Sequence, residues 1–188
     1  MSRNVAARAV PRGEDEEMPD VPTLVTARTR LRPLEDDDAA TLRAIVRSPA
    51  VARWWHEPDD TFPWDFDADT TRWVVEIAHA PDVGPSGAVV GMVQAYEGED
   101  PDYDECGIDL FLAASVHRRG LGKEVVETVR DWLVDVRGHH LVQIDPSASN
   151  DAAIACYTSA GFRRVGVLHG RPYGNLIMTA EIAKPQAP

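Results

Sequence analysis

Residues 117–123, HRRGLGK, stand between a short apolar strand and a long amphipathic helix. Two glycines one residue apart let the backbone turn with its N–H groups facing outward. The helix that follows adds free donors and the positive end of its dipole. Such a loop can cradle a pyrophosphate. Arg118, Arg119 and Lys123 place positive charge beside it, in a chain that is otherwise acidic. The spacing is neither the Gly-x-Gly-x-x-Gly of a dinucleotide fold nor the Gly-Lys-Ser/Thr of a triphosphate loop. A plain structural turn is the competing reading, and position argues against it. The strand CGIDLFL, 106–112, precedes the loop, and a second strand–loop–helix unit, LVQIDPSASNDAAIACYTSAGF at 141–162, follows the helix.

The rest of the chain builds around these two units. Residues 24–33, LVTARTRLRP, alternate as a strand. Glu35, Asp36, Asp37 and Asp38 then precede AATLRAIVRS, where Leu42, Ile45 and Val46 recur at helical spacing. Acids in a helix's first turn complement its dipole by about 0.3–1 kcal/mol each. A second helix is expected over 69–80, with Trp73, Val74, Ile77 and Ala78 on one side. AVVGMVQAY, 88–96, is a strand with Gly91 inside it, and the strand expected before it reduces to PDVGPSGA, so it is short or missing. Val125, Val129, Trp132, Leu133 and Val136 mark the apolar face of the helix after the glycine loop, which Gly138 ends. LVQID is a strand, 150–160 a helix, and FRRVGVLH and NLIMTAEI two final strands. The expected class is α/β (α+β), a mixed sheet with helices on both faces. One domain spans 23–183, between a disordered tail at 1–22 and a short tail at 184–188.

Charge narrows the partners. There are 31 acids against 19 bases, a net charge of −12. A phosphate backbone needs a basic face, so nucleic acid is not expected. No apolar run reaches the roughly 20 residues of a membrane span. The opening segment has no apolar centre and does not read as a secretion signal. Cys106 and Cys156 have no metal-ligand spacing and read as reduced thiols of a cytoplasmic protein. No metal site is expected. The acidic excess serves either solubility or a cationic partner. Its placement favours the second. Glu57, Asp59, Asp60, Asp65, Asp67 and Asp69 follow Trp54 and Trp55 with no base among them, and six of the nine residues at 97–105 are acids. Carboxylates interleaved with Trp55, Phe62, Trp64 and Tyr103 suit a polycationic sugar. Solvated loops over core aromatics are the alternative.

The pair HRRGLG and NDAAIACYTSAGF resembles the acyl-CoA-binding signature of the GNAT superfamily of N-acetyltransferases. The superfamily's usual loop is Gln/Arg-x-x-Gly-x-Gly/Ala; here His117 holds the first position. Asn150, Tyr157, Gly161 and Phe162 match the second half. Within that superfamily, RWWHEP, VQAY, GIDLFL and QIDPSASNDAAIACYTSAGF are similar to aminoglycoside 6'-N-acetyltransferases. The resemblance implies a mostly antiparallel mixed sheet, splayed where acetyl-CoA binds. It implies cofactor contacts from Leu110, Phe111 and Leu112, from His117, Arg118, Arg119, Gly120, Leu121, Gly122 and Lys123, and from Asn150 and Tyr157. It implies an aminoglycoside partner met by Trp55, Tyr96, Asp104, Glu105, Asp109 and Asp145, in a monomer or homodimer.

Acetyl transfer to an amine needs a base for the ammonium, a donor for the developing oxyanion and an acid for the leaving thiolate. Asp109 lies among apolar neighbours in a strand, where aspartate is disfavoured unless it has a task. The resemblance assigns it the base; an outward-facing solvated Asp is the alternative. Strand N–H groups at 110–112 would meet the oxyanion. Tyr157 is the acid candidate against a plain core aromatic. Asn150 caps its helix and can bond the pantetheine arm. Asp145, at a strand end before Pro146, either holds a substrate ammonium or starts an Asx-Pro turn. Cys156 is not expected to act as a nucleophile. Acyl transfer to a lysine-like or siderophore amine or a protein amino terminus, and a CoA-binding module without catalysis, stay open at this point.

Overall fold

A computed structural model describes residues 21–65, 69–98, 106–168 and 175–181. The tails at 1–20 and 182–188, with Asp67, Tyr103, Asp104 and Glu105, lie outside the described residues. Eight strands form one sheet: β1 (Leu24–Val25), β2 (Thr29–Pro33), β3 (Thr70–Ile77), β4 (Val89–Glu97), β5 (Cys106–Leu112), β6 (Leu141–Ile144), β7 (Arg163–Leu168) and β8 (Asn175–Glu181). Their spatial order is β1-β2-β3-β4-β5-β6-β8-β7. β5 and β6 pair parallel, and the other neighbours pair antiparallel. The helices are α1 (Asp38–Val46), α2 (Pro49–Ala52), α3 (Leu121–Asp135) and α4 (Asp151–Ser159).

Strand alternation gives each face of the sheet its own core. Leu31, Trp73, Val75, Val93 and Ile108 pack with Val125, Val129 and Leu133 of α3 and Ile154 of α4. Val74, Met92 and Phe111 point the other way and pack with Leu42 and Val46 of α1 and with Phe62. Helices therefore cover both faces, as the sequence implies. Trp73 meets Trp132 edge-on at 5.1 Å between ring centroids and donates its indole N–H to the Pro22 carbonyl at 2.8 Å. Val21 rests on the same core. The packed chain thus begins before residue 23, and the expected tail at 1–22 is too long at its inner end.

Four expectations change. The helix expected over 69–80 is strand β3. Its apolar run is continuous because both faces are covered, Trp73, Val75 and Ile77 on one and Val74 on the other. A doubly buried strand loses the alternation that would separate it from a helix. β3 is also the strand thought short or missing before Ala88; it has eight residues and pairs with β4. The single strand at 24–33 is a hairpin, turned where the Thr26 hydroxyl accepts the N–H groups of Arg28 at 3.1 Å and Thr29 at 2.8 Å. Val136, placed on the apolar face of α3, is 69% exposed, because the helix ends at Asp135.

The acidic run before α1 does more than complement the dipole. Asp37 at the N-cap makes no side-chain cap. Asp38, in the first turn, is 5% exposed and accepts both terminal nitrogens of Arg32 at 2.7 Å. Arg32 also bonds Glu76 of β3 at 2.8 Å.

Gly91 lies at an irregularity of β4 against β3, where the pairing skips Val90. A Cβ there would stand 2.2 Å from the Phe111 carbonyl oxygen and 3.0 Å from Leu112 Cα. Backbone cannot yield as a side-chain tip can. Gly91→Ala is therefore expected to destabilise the fold by about 1–3 kcal/mol, read as a lower denaturation midpoint in urea.

Candidate active site

The site begins where β5 and β6 part. They share one registered pair, Gly107 with Gln143. Ala113 donates its N–H to Val90 on the β4 side at 2.7 Å. Alternation puts the N–H of Phe111 on that same edge and turns those of Leu110 and Leu112 toward the gap. Leu110 and Leu112 therefore fit the expected donor edge. Phe111 does not: its backbone pairs with Met92, and its side chain is buried against α1.

The loop at the head of α3 carries two left-handed residues, Arg118 at φ 58° and Gly120 at φ 79°. They bend the chain so that successive N–H groups converge, a concavity suited to anions. The loop is braced from outside. Arg28 donates to the Arg119 carbonyl at 2.7 Å and pairs with Glu124 at 2.6 Å. The His117 ring bonds the Leu112 carbonyl at 2.8 Å, closing the turn after β5. The Arg119 guanidinium reaches the Asp82 carbonyl at 2.7 Å, away from the concavity. Leu121 is fully buried, so only its backbone can serve a ligand. Lys123 pairs loosely with Glu127 at 3.7 Å. Asn150 caps α4, accepting the Ala153 N–H at 3.2 Å. Gly122 faces α4 closely; a Cβ there would lie 3.3 Å from Cys156 Sγ. Burial pushes the Cys156 thiol up, consistent with an unreactive neighbour.

The carboxylates occupy the opposite, α1-side face. Val142 and Ile144 of β6 face α3, so Gln143 and the following Asp145 face the other way, with Asp109 and Tyr96. Asn175 donates one amide group to both the Asp145 carbonyl, 2.9 Å, and its carboxylate, 3.0 Å. Gln94 donates to Asp109 at 3.0 Å. The Tyr96 ring crosses Gly107, where a Cβ would lie 2.2 Å from its hydroxyl. Burial, then the charges of Asp109 and Asp145, raise the Tyr96 pKa, against a hydrogen bond to Gln143. Burial likewise raises Tyr157, helped by Cys156, Asp109 and Asp145. That phenol keeps its proton at neutral pH while sensing both carboxylates. Trp55 adjoins the site, edge-on to Phe111 at 5.0 Å.

The structure thus places Trp55, Tyr96, Asp109 and Asp145 on one face of the sheet, while Tyr157 of α4 is buried in the core of the other face and feels Asp109 and Asp145 only through their charge. It trims the acidic wall. Glu57 pairs with Arg47, Asp65 with Arg72, and Glu97 with Arg137 and His139. Bases from other elements neutralise acids that look unaccompanied in their own loops. The sequence reading missed Gln94, Asn175 and Arg28. Among the described residues no group of three or more His, Cys, Asp or Glu could hold a metal. No described helix is long and apolar enough to cross a membrane.

A family model described as an acetyltransferase (GNAT) domain matches residues 28–163. The chain belongs to the GNAT acetyltransferase family. It is 29% identical over 153 residues to an aminoglycoside N(6')-acetyltransferase type 1 of Klebsiella pneumoniae, covering 73% of this chain and 75% of that protein. It is 41% identical over 71 residues to a kanamycin resistance protein of Rhizobium radiobacter, covering 37% of this chain and 66% of that one. The solved aminoglycoside acetyltransferase AAC(6')-Ib in complex with coenzyme A and kanamycin superposes with a TM-score of 0.67 at 26% identity, covering 81% of this chain and 94% of that chain. The sheet, parted between β5 and β6, is the GNAT fold, and the cofactor of this domain is acetyl-CoA. The residues present fit it: a concave loop of N–H groups, an open strand edge at Leu110 and Leu112, and a side-chain-free Gly122 between them and α4.

Proposed function

We propose that this GNAT acetyltransferase acetylates a primary amine of a small polycationic acceptor, the 6'-amine of aminoglycosides, in the cytoplasm. The observation that carries this reading is the sharing of one sheet face, beside the cofactor gap, by Trp55, Tyr96, Asp109 and Asp145. Two carboxylates and two aromatic rings there suit a sugar bearing several ammonium groups. The similarity to aminoglycoside acetyltransferases supports the same acceptor.

Bound acetyl-CoA supplies the activated acetyl thioester. The loop from Arg118 to Lys123 holds its diphosphate with backbone N–H groups, and Asn150 takes the pantetheine arm. Leu110 and Leu112 offer N–H donors to the thioester oxygen. Asp145, fixed by Asn175, holds one acceptor ammonium. Asp109 takes the proton from the amine that reacts, directly or through water. Tyr157 points its O–H donor toward the sulfur as the thiolate leaves, although burial makes it a weaker acid than an exposed phenol.

The test is CoA release from acetyl-CoA with purified protein. The panel pairs 6'-amino with 6'-hydroxy aminoglycosides and adds lysine-like amines and peptide amino termini. Turnover with the 6'-amino drugs alone is expected. Turnover confined to the lysine-like amines or peptides would replace the acceptor, and CoA binding without any transfer would leave a binding module. Within the same assay, Asp145→Ala removes a charge-assisted bond worth about 1.5–3 kcal/mol. The acceptor KM is expected to rise about 10–100-fold with little change in kcat.

A further inference from the structure

We infer that Arg72 is a positioning residue, locking the side-chain amide of Gln94 so that it donates to Asp109. The inference rests on the reading of Asp109 as the base. Arg72, Gln94 and Asp109 are direct cross-strand partners on β3, β4 and β5. Arg72 Nε donates to Gln94 Oε1 at 2.9 Å, and Gln94 Nε2 donates to Asp109 Oδ2 at 3.0 Å. A glutamine amide can bind either way round, and its neighbours decide which. A guanidinium has donors and no acceptor. The edge of Gln94 facing Arg72 must therefore be its carbonyl. The edge facing Asp109 must then be its NH2. One cation two strands away sets the hydrogen-bond polarity at the base and fixes the rotation of its carboxylate.

The guanidinium is itself held. It is 6% exposed, and Nη1 donates to Asp65 Oδ1 at 2.8 Å and to the Pro63 carbonyl. The Phe62 ring lies 5.9 Å from its Cζ. A buried cation demands a counter-ion. Asp65 serves in direct contact, and the charge of Asp109 adds a smaller pull on the guanidinium. The same guanidinium ties the chain after Trp55 to the base, linking the acceptor loop to the reacting centre. Lysine cannot substitute: one point charge cannot fork to Gln94, Asp65 and the Pro63 carbonyl together.

Two measurements test this. In 15N-labelled apoprotein, the Gln94 side-chain amide pair is identified by its absence in Gln94→Glu. It is expected to exchange slowly in the wild type and like an exposed glutamine in Arg72→Met. In kinetics with the best acceptor found, Arg72→Met and Arg72→Lys are each expected to lower kcat about tenfold, with the acetyl-CoA KM unchanged. Gln94→Glu keeps shape and the Arg72 contact but turns an acceptor toward Asp109; a loss at least as large is expected. If Arg72→Met does not fold, Gln94→Glu and Arg72→Lys decide. Folded variants retaining wild-type kcat would overturn the proposal. Should the wild type acetylate no amine, the proposed function fails separately. The amide pair still decides the relay, which is overturned if the pair is unprotected in the wild type or unmoved by Arg72→Met.

Discussion

Asp109→Asn is expected to lower kcat by about 10²–10⁴-fold, the range that general acid–base assistance contributes. The substitution is close to isosteric, and the surroundings dictate how the new amide binds. Gln94 presents Nε2 to this position at 3.0 Å. The asparagine must answer with its carbonyl oxygen, which leaves its NH2 toward the acceptor. A group that accepted a proton is replaced by one that offers two. Binding of acetyl-CoA should survive, because the phosphate loop lies at the far end of β5 and is braced by Arg28. The measurement is steady-state CoA release with both substrates saturating, alongside the CoA-induced shift in melting temperature. A reduced kcat with an unchanged shift locates the loss in the proton transfer. An unchanged kcat would remove Asp109 from the chemistry.

The fold of the half of the chain read as the cofactor side was legible in the sequence because its signals are local. Gly120 needs a positive φ, Asn150 needs an N–H three residues on, and Gly161 ends a helix at φ 92°. Each is settled within a few residues, and each was readable. The failures were non-local. β3 looked helical because its two faces are covered by α3 and α1, which no window of eight residues reveals. The same misreading hid Arg72. Seen as a strand, TTRWVVEI carries an arginine amid β-branched and aromatic residues, a signal that a buried cation needs partners across the sheet. Gly107 reads as a weak strand residue until its partner is known. It is the one place on β5 where the Tyr96 ring can cross, since a Cβ would lie 2.2 Å from the Tyr96 hydroxyl. The acidic loops misled in the opposite sense. Counting acids within one loop cannot register Arg47, Arg72 or Arg137, which arrive from other elements.

Asp38→Ala is expected to cost about 3–5 kcal/mol of stability at neutral pH, the usual result of removing one partner of a buried ion pair. Arg32 is left 15% exposed between Glu76 and a void, and the Glu35 N–H loses an acceptor 2.8 Å away. Burial works against the Asp38 charge, yet the Arg32 hydrogen bond, the Glu35 N–H and the Arg32 charge outweigh it and hold the carboxyl below its ordinary range. A depressed folded pKa contributes stability above the unfolded value, about 3.9, and that contribution disappears as pH falls through the folded pKa. Urea unfolding of wild type and variant should therefore differ most near pH 7 and draw together as pH falls below the unfolded value of about 3.9 and through the lower folded one. Asp38→Asn separates shape from charge: it should track Asp38→Ala at pH 7 if the charge matters, and the wild type if packing alone does. A gap between wild type and Asp38→Ala that does not narrow even where acid protonates the folded protein's carboxyl groups would show that Arg32 does not depend on the ionised carboxylate. The join between α1 and the β2–β3 edge would then rest on the apolar contacts of Leu42 and Val46.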